Sequence, residues 1–163
     1  MALDKNSLAD LYARQASWYD FTANTYYLLG FREFAYRKEA IRALNLRPGD
    51  TVVEIGCGTG LNFRRLIDCI GPAGKLIGVD FSAEMLKQAA DRIRRNFWTN
   101  VELVRQDAAM YTFPDRVDGI LSTFALTLIP EYDVIVKNGL AALGPSKRFA
   151  VLDFKEPRTG RHG

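Results

Sequence analysis

Five short apolar runs alternate along the chain with segments in which apolar residues recur every three or four positions. The runs fall near residues 51–56, 75–80, 101–105, 117–122 and 148–154, and their β-branched content predicts strands. The segments between them are mostly helical in pattern. The clearest helix starts at Ser82, a favourable N-cap residue with Glu84 in the first turn, and sets Met85, Leu86, Ala89, Ala90, Ile93 and Phe97 on one face. Earlier in the chain, Phe31, Phe34, Ala35, Ile41 and Leu44 trace an apolar stripe that runs toward a turn at Arg47-Pro48-Gly49-Asp50. Strands alternating with helices require right-handed crossovers, so the expected class is α/β with a doubly wound, mostly parallel sheet. A ligand on such a sheet sits beyond the C-terminal ends of the strands.

The first strand runs into unusual chemistry. Val52-Val53-Glu54-Ile55 ends in Gly56-Cys57-Gly58-Thr59-Gly60, with a glycine at every second position. Glycine there lets the backbone turn tightly and approach a ligand with no Cβ in the way. Leu61 to Ile70 has helical spacing, so the loop opens onto a helix N-terminus. Twenty residues after Gly60, the second run, Leu76-Ile77-Gly78-Val79, ends in Asp80, where an acid can hold ribose hydroxyls. A dinucleotide fingerprint needs G-x-G-x-x-G, but here the third glycine comes one position early and Leu61 takes the place of the required glycine. A nicotinamide dehydrogenase is therefore disfavoured.

The pattern E-x-G-x-G-x-G, running from Glu54 to Gly60, resembles the first motif of the class I S-adenosylmethionine-dependent methyltransferases. The resemblance continues in order. Gly78-Val79-Asp80-Phe81-Ser82-Ala83-Glu84-Met85-Leu86 is similar to the second motif, Val104-Arg105-Gln106-Asp107-Ala108-Ala109 to the third, and Val117 to Leu126 to the fourth. It implies a Rossmann-like sheet of about five strands in the order 3-2-1-4-5, with S-adenosylmethionine as cofactor and S-adenosylhomocysteine as product. It further implies that Glu54 and the loop of Gly56, Cys57, Gly58 and Gly60 hold the methionyl end, with Cys57 lending mainly its backbone. Asp80 would hold the ribose, Phe81 would pack on the adenine, Asp107 and Ala108 would meet the adenine edge, and Ser122 with Thr123 would floor the site. Asn62 and Met85, beside the two loops, complete the candidate cofactor set, together with Tyr19 of a Tyr19-Asp20 pair that similar enzymes carry on an N-terminal lid helix.

Residues 1–46 thus read as a helical extension or lid, 47–156 as the cofactor-binding core and 157–163 as a tail. Tyr12, Trp18, Tyr19, Phe21, Tyr26 and Tyr27 crowd the extension. Packing onto the sheet, closure over the cofactor and shallow membrane contact all suit such amphipathic rings. Only nine residues follow Phe154, too few for the antiparallel hairpin that usually completes the family's sheet. The expected consequence is an edge on the fifth strand that is covered by another protomer, as in a homodimer, covered by a folded-back tail, or left exposed.

Composition narrows the rest. At 163 residues the chain suits one domain, and 22 basic against 19 acidic residues leave a net charge of +3, too balanced to point to nucleic acid. The Asn-Pro-Pro-aromatic motif of amino-directed nucleic-acid methyltransferases is also missing: Leu121 is followed by Ser122-Thr123-Phe124-Ala125. No apolar stretch reaches the roughly 20 residues of a membrane span, and the start of the chain lacks a secretory pattern, so a cytoplasmic protein is expected. Cys57 and Cys69 offer neither metal spacing nor a disulfide framework and are expected to be reduced thiols. The lone His162 lies in the tail, and no catalytic base is assigned. The expected activity is methyl transfer to a small-molecule or lipid-like acceptor; the alternative is a cofactor-binding, catalytically weak module acting in an assembly.

Overall fold

The computed structural model describes residues 32–153. In order, the elements are α1 (Glu33–Ala43), β1 (Thr51–Ile55), α2 (Phe63–Ile70), β2 (Lys75–Asp80), α3 (Ala83–Arg95), β3 (Val101–Arg105), β4 (Val117–Thr123), α4 (Tyr132–Ala142) and β5 (Leu143–Leu152). Short 3-10 turns occupy Ala108–Met110 and Leu126–Leu128. The five strands form one parallel sheet in the order β3-β2-β1-β4-β5. The chain builds outward from β1 to β3, then returns to lay β4 on the other side of β1. That reversal opens a crevice above the C-terminal ends of β1 and β4.

Both faces of the central strands are covered. Val52 and Val53 are consecutive and fully buried, yet they point to opposite faces as strand geometry requires. Val52, Leu76 and Leu121 pack with Ile41, Leu44, Phe63, Leu66 and Leu86 beneath α1, α2 and α3. Val53, Ile77 and Ile120 pack with Tyr111, Leu126 and Ile135 on the α4 side. Burial on both sides explains why these strands read as continuous apolar runs rather than alternating ones.

Local signals act where expected, with some corrections. Ser82 caps α3, its Oγ accepting from the Met85 N–H at 3.3 Å. The helix stops at Arg95, however, and Phe97 is not on the buried face: it adopts φ +55° and is 88 % exposed. The Arg47–Asp50 turn forms, with Gly49 at φ +90° and Asp50 Oδ2 accepting from the Arg47 N–H at 2.8 Å. On α1, Ile41 and Leu44 face the core but Ala35 is exposed; Phe31 lies outside the described residues. The fifth strand begins at Leu143 rather than at 148. Its Gly144-Pro145-Ser146-Lys147 stretch bulges out of register, for Val117 pairs with Leu143 and Gly119 already with Arg148. Ser146 takes the turn at φ +62°.

Candidate functional site

The crevice predicted by the topology is a cleft of about 830 Å³, including its open mouth. One end is the glycine turn. Gly56 and Cys57 both donate their N–H to the Val79 carbonyl, at 2.8 and 3.1 Å, which folds the turn back over β2. Gly56 and Gly58 line the cleft at φ +67° and +56°. Their two roles differ. A Cβ on Gly56 would sit 2.4 Å from the Ala125 Cβ, so that glycine permits close packing against the end of β4. A Cβ on Gly58 would meet no atom of the described residues within 4 Å, so the space beside that glycine is open among them.

Asp80, at the end of β2, fastens the turn. Its Oδ2 accepts from the Gly58 N–H at 2.8 Å and its Oδ1 from the Ser82 N–H at 2.9 Å. Burial pushes its carboxyl above the usual range, while the N–H groups of Ser82, Gly58 and Phe81 pull it back. Phe81, Ser82 and Met85 continue the wall, and Gln106, Asp107 and Ala108 follow from β3. Asp107 Oδ1 accepts from the Ala109 N–H at 3.0 Å and thereby caps the 3-10 turn that carries Ala108. The opposite wall is apolar, formed by Phe124, Ala125, Leu128, Ile129 and Pro130.

Beneath the floor lies a buried polar chain that runs from α1 to β1. Glu33 and Arg37, both nearly inaccessible, pair one turn apart, with Glu33 Oε1 accepting from Arg37 Nε and Nη2 at 2.8 and 2.6 Å. Arg37 Nη1 donates to Thr123 Oγ1 at 2.7 Å and to Asn62 Oδ1 at 3.4 Å. Asn62 Nδ2 donates in turn to Thr123 Oγ1 at 3.0 Å and to Glu54 Oε1 at 2.6 Å. The Glu54 carboxyl is raised to about 7 by burial, opposed by the Asn62 hydrogen bond and the Arg37 charge. Glu54 Oε2 and Ser122 Oγ have no hydrogen-bond partner among the described residues.

Of the residues singled out from sequence, the cleft gathers Gly56, Gly58, Asp80, Phe81, Met85, Asp107, Ala108 and Thr123. Glu54, Cys57, Gly60, Asn62 and Ser122 stand behind its surface. The Cys57 side chain is buried in the core, its thiol pushed well up by burial, and Gly60 makes room for the Phe63 ring, whose nearest atom would lie 2.7 Å from an added Cβ. Tyr19 and the aromatic extension lie outside the described residues. Sequence reasoning did not single out Glu33 or Arg37. Their signal, an acid and a base four apart, reads in a sequence as a solvated pair on a helix face. Among the described residues no group of three or more histidine, cysteine, aspartate or glutamate side chains comes together as a metal site.

Comparison with known proteins agrees with this geometry. Residues 52–146 match the family described as Methyltransferase domain. The demethylmenaquinone methyltransferase of Anoxybacillus flavithermus is 28 % identical over 127 residues, covering 77 % of this chain and 54 % of that protein. Its counterpart from Listeria welshimeri is 30 % identical over 123 residues, covering 75 % of this chain and 52 % of its own length. The chain thus spans about half the length of the curated relatives it matches. A solved complex of DhpI with SAH superposes with a TM-score of 0.72 at 27 % identity, covering 91 % of this chain and 68 % of that one. A SAM-dependent methyltransferase from Aquifex aeolicus shares the fold, with a TM-score of 0.66 at 24 % identity over 76 % of this chain and 68 % of that one. With four ordered motifs, a parallel sheet in the order 3-2-1-4-5 and a family match over residues 52–146, the chain belongs to the class I S-adenosylmethionine-dependent methyltransferases.

Proposed function

We propose that this chain binds S-adenosylmethionine in the cleft above β1 and β4 and transfers its methyl group to a small, apolar, lipid-like acceptor. The observation that carries the cofactor half is the open space over Gly58 beside the Asp80 carboxylate. An elongated ligand entering there meets the glycine turn at one end and Asp107 with Ala108 at the other. Asp80 holds the ribose hydroxyls through lone pairs not used by Gly58 and Ser82. Phe81 packs on the adenine, with Met85 beneath it, and Asp107 and the Ala108 N–H meet the adenine edge. Glu54 favours the cofactor ammonium from behind the floor, by charge rather than contact. Tyr19 is assigned to the cofactor side on the sequence pattern alone.

When bound, the cofactor supplies an electrophilic methyl on a sulfonium. The chain's own residues then need to align an acceptor and exclude water, and methyl transfer to an already nucleophilic atom asks for no strong base. The wall of Phe124, Ala125, Leu128, Ile129 and Pro130 suits an apolar acceptor. The relatives named for demethylmenaquinone support the lipid-like class. Among the described residues no helix is long and apolar enough to cross a membrane.

The test is transfer of labelled methyl from S-adenosylmethionine to a panel of isoprenoid quinols, short-chain phenols and polar amines. Turnover of the apolar members above the polar ones is expected. Turnover confined to polar amines would overturn the acceptor class, and binding without turnover of any member would favour the non-catalytic module.

A further inference from the structure

We propose that Arg37 is a positioning residue for the cofactor site: with Glu33 it makes the Thr123 hydroxyl an obligatory hydrogen-bond donor toward an anionic oxygen, the α-carboxylate of the methionyl end. The inference rests on the cofactor reading above, and it assigns a task to a buried ion pair that the methyl-transfer chemistry leaves unexplained.

A guanidinium can only donate. Glu33 Oε1 takes Arg37 Nε and Nη2, which balances the buried charge and fixes the plane of the fork. Nη1 is thereby aimed at Thr123 Oγ1 and Asn62 Oδ1. Because Arg37 cannot accept, the Asn62 atom that faces it is the oxygen, and the amide nitrogen must face Glu54 and Thr123. Thr123 Oγ1 therefore accepts two hydrogen bonds, at 2.7 Å from Arg37 and 3.0 Å from Asn62. A hydroxyl oxygen has two lone pairs, so both are used and its proton must point elsewhere. No acceptor for that proton is found among the described residues, although Thr123 is only 3 % exposed and lines the cleft.

A buried donor without an acceptor is a cost that a ligand oxygen removes. The cofactor ammonium cannot fill this role, since Thr123 has no lone pair left to offer it. The carboxylate can. Arg37 reinforces the aim in a second way: its guanidinium lies 5.0 Å from the centre of the Phe124 ring, and Phe124 holds a left-handed backbone at φ +55° that turns the chain directly after Thr123. A bulky residue in that region is strained and persists only where its surroundings hold it.

The deciding experiment compares binding of S-adenosylhomocysteine with that of 5′-methylthioadenosine, which keeps adenine, ribose and thioether but lacks the amino-acid end. Thr123→Val in the full chain should lower affinity for S-adenosylhomocysteine by about tenfold to a hundredfold, the range of a hydrogen bond to a charged group, and leave 5′-methylthioadenosine affinity unchanged. Thr123→Ser, which keeps the hydroxyl, should retain the wild-type preference. Arg37→Lys should shift the preference in the same direction as Thr123→Val; should that variant fail to fold, the two Thr123 variants decide alone. An unchanged ratio of the two affinities in Thr123→Val, or an equal loss for both ligands, would overturn the inference while leaving the cofactor reading intact. A wild-type chain that binds neither ligand would overturn the cofactor reading itself, and the inference with it.

Discussion

The Gly58 N–H donates to Asp80 Oδ2 at 2.8 Å, joining the glycine turn after β1 to the last residue of β2. One carboxylate thus shapes the turn and lines the cleft, and the two placements share a cause. A cleft at a strand-order reversal is bounded by loops from neighbouring strands, and these loops need a bond between them to hold one geometry.

Replacing Asp80 by alanine releases the Gly58 and Ser82 N–H groups and removes the proposed ribose contact. Affinity for S-adenosylhomocysteine should fall by about 1.5–3 kcal/mol, the scale of hydrogen bonds to a charged group. Calorimetry on the variant checks this, and affinity equal to wild type would remove Asp80 from the site.

Two glycines only two positions apart should fail in different ways. Gly56→Ala forces a Cβ to within 2.4 Å of the Ala125 Cβ, so thermal stability should drop markedly. Gly58→Ala meets no atom of the described residues, and its folding cost there is the left-handed backbone, about 1–2 kcal/mol. Its Cβ projects into the ligand's space, so it should lose more in S-adenosylhomocysteine affinity than in melting temperature. Melting curves with and without ligand separate the two, and the reverse order of effects would contradict the assignment of roles.

Glu54 sets a pH dependence whose sign follows from burial. Its carboxyl is raised from 4.5 to about 7, so between those values the native state holds a proton that the unfolded chain has lost. Stability should therefore fall as pH rises from 4.5 toward 7, by about 3 kcal/mol at most, and Asp80, also raised, adds a slope of the same sign. Glu54→Gln should flatten that slope in urea unfolding measured from pH 4.5 to 8. Cofactor affinity should run the other way, rising with pH as Glu54 ionises and attracts the ammonium. A Glu54→Gln variant with the wild-type slope of stability would show that another group titrates.

Much of this architecture was legible in the sequence because burial on both faces leaves a plain mark. Val52, Val53, Ile55, Leu76, Val79, Ile120 and Leu121 are apolar because no water reaches either side of the central strands. Ser82 announced α3 through its own capping bond. What was hidden has equally physical causes. Phe97 keeps the helical spacing of α3 but follows the last helical residue, and apolar periodicity cannot report where a helix stops. Gly144-Pro145-Ser146 looks like a turn and is one, a bulge inside β5 that only strand pairing reveals. Within the candidate site, glycine spacing and the acid twenty residues on singled out Gly58 and Asp80, the family resemblance singled out Asp107, and all three line the cleft. Arg37 was not singled out: a buried arginine and a solvated one are the same letter, and the difference is made by Glu33, Thr123 and Asn62, the last two brought in from distant parts of the chain.

The cleft above β1 and β4 is proposed as a site for S-adenosylmethionine and its product. Calorimetric titration of the full chain with S-adenosylhomocysteine tests it most directly, with NAD as the control that shares an adenosine but carries a pyrophosphate. Saturable one-to-one binding of S-adenosylhomocysteine, strongly weakened in Gly58→Val, and no heat with NAD are expected. Equal binding of the two ligands, or wild-type affinity in Gly58→Val, would contradict the proposal.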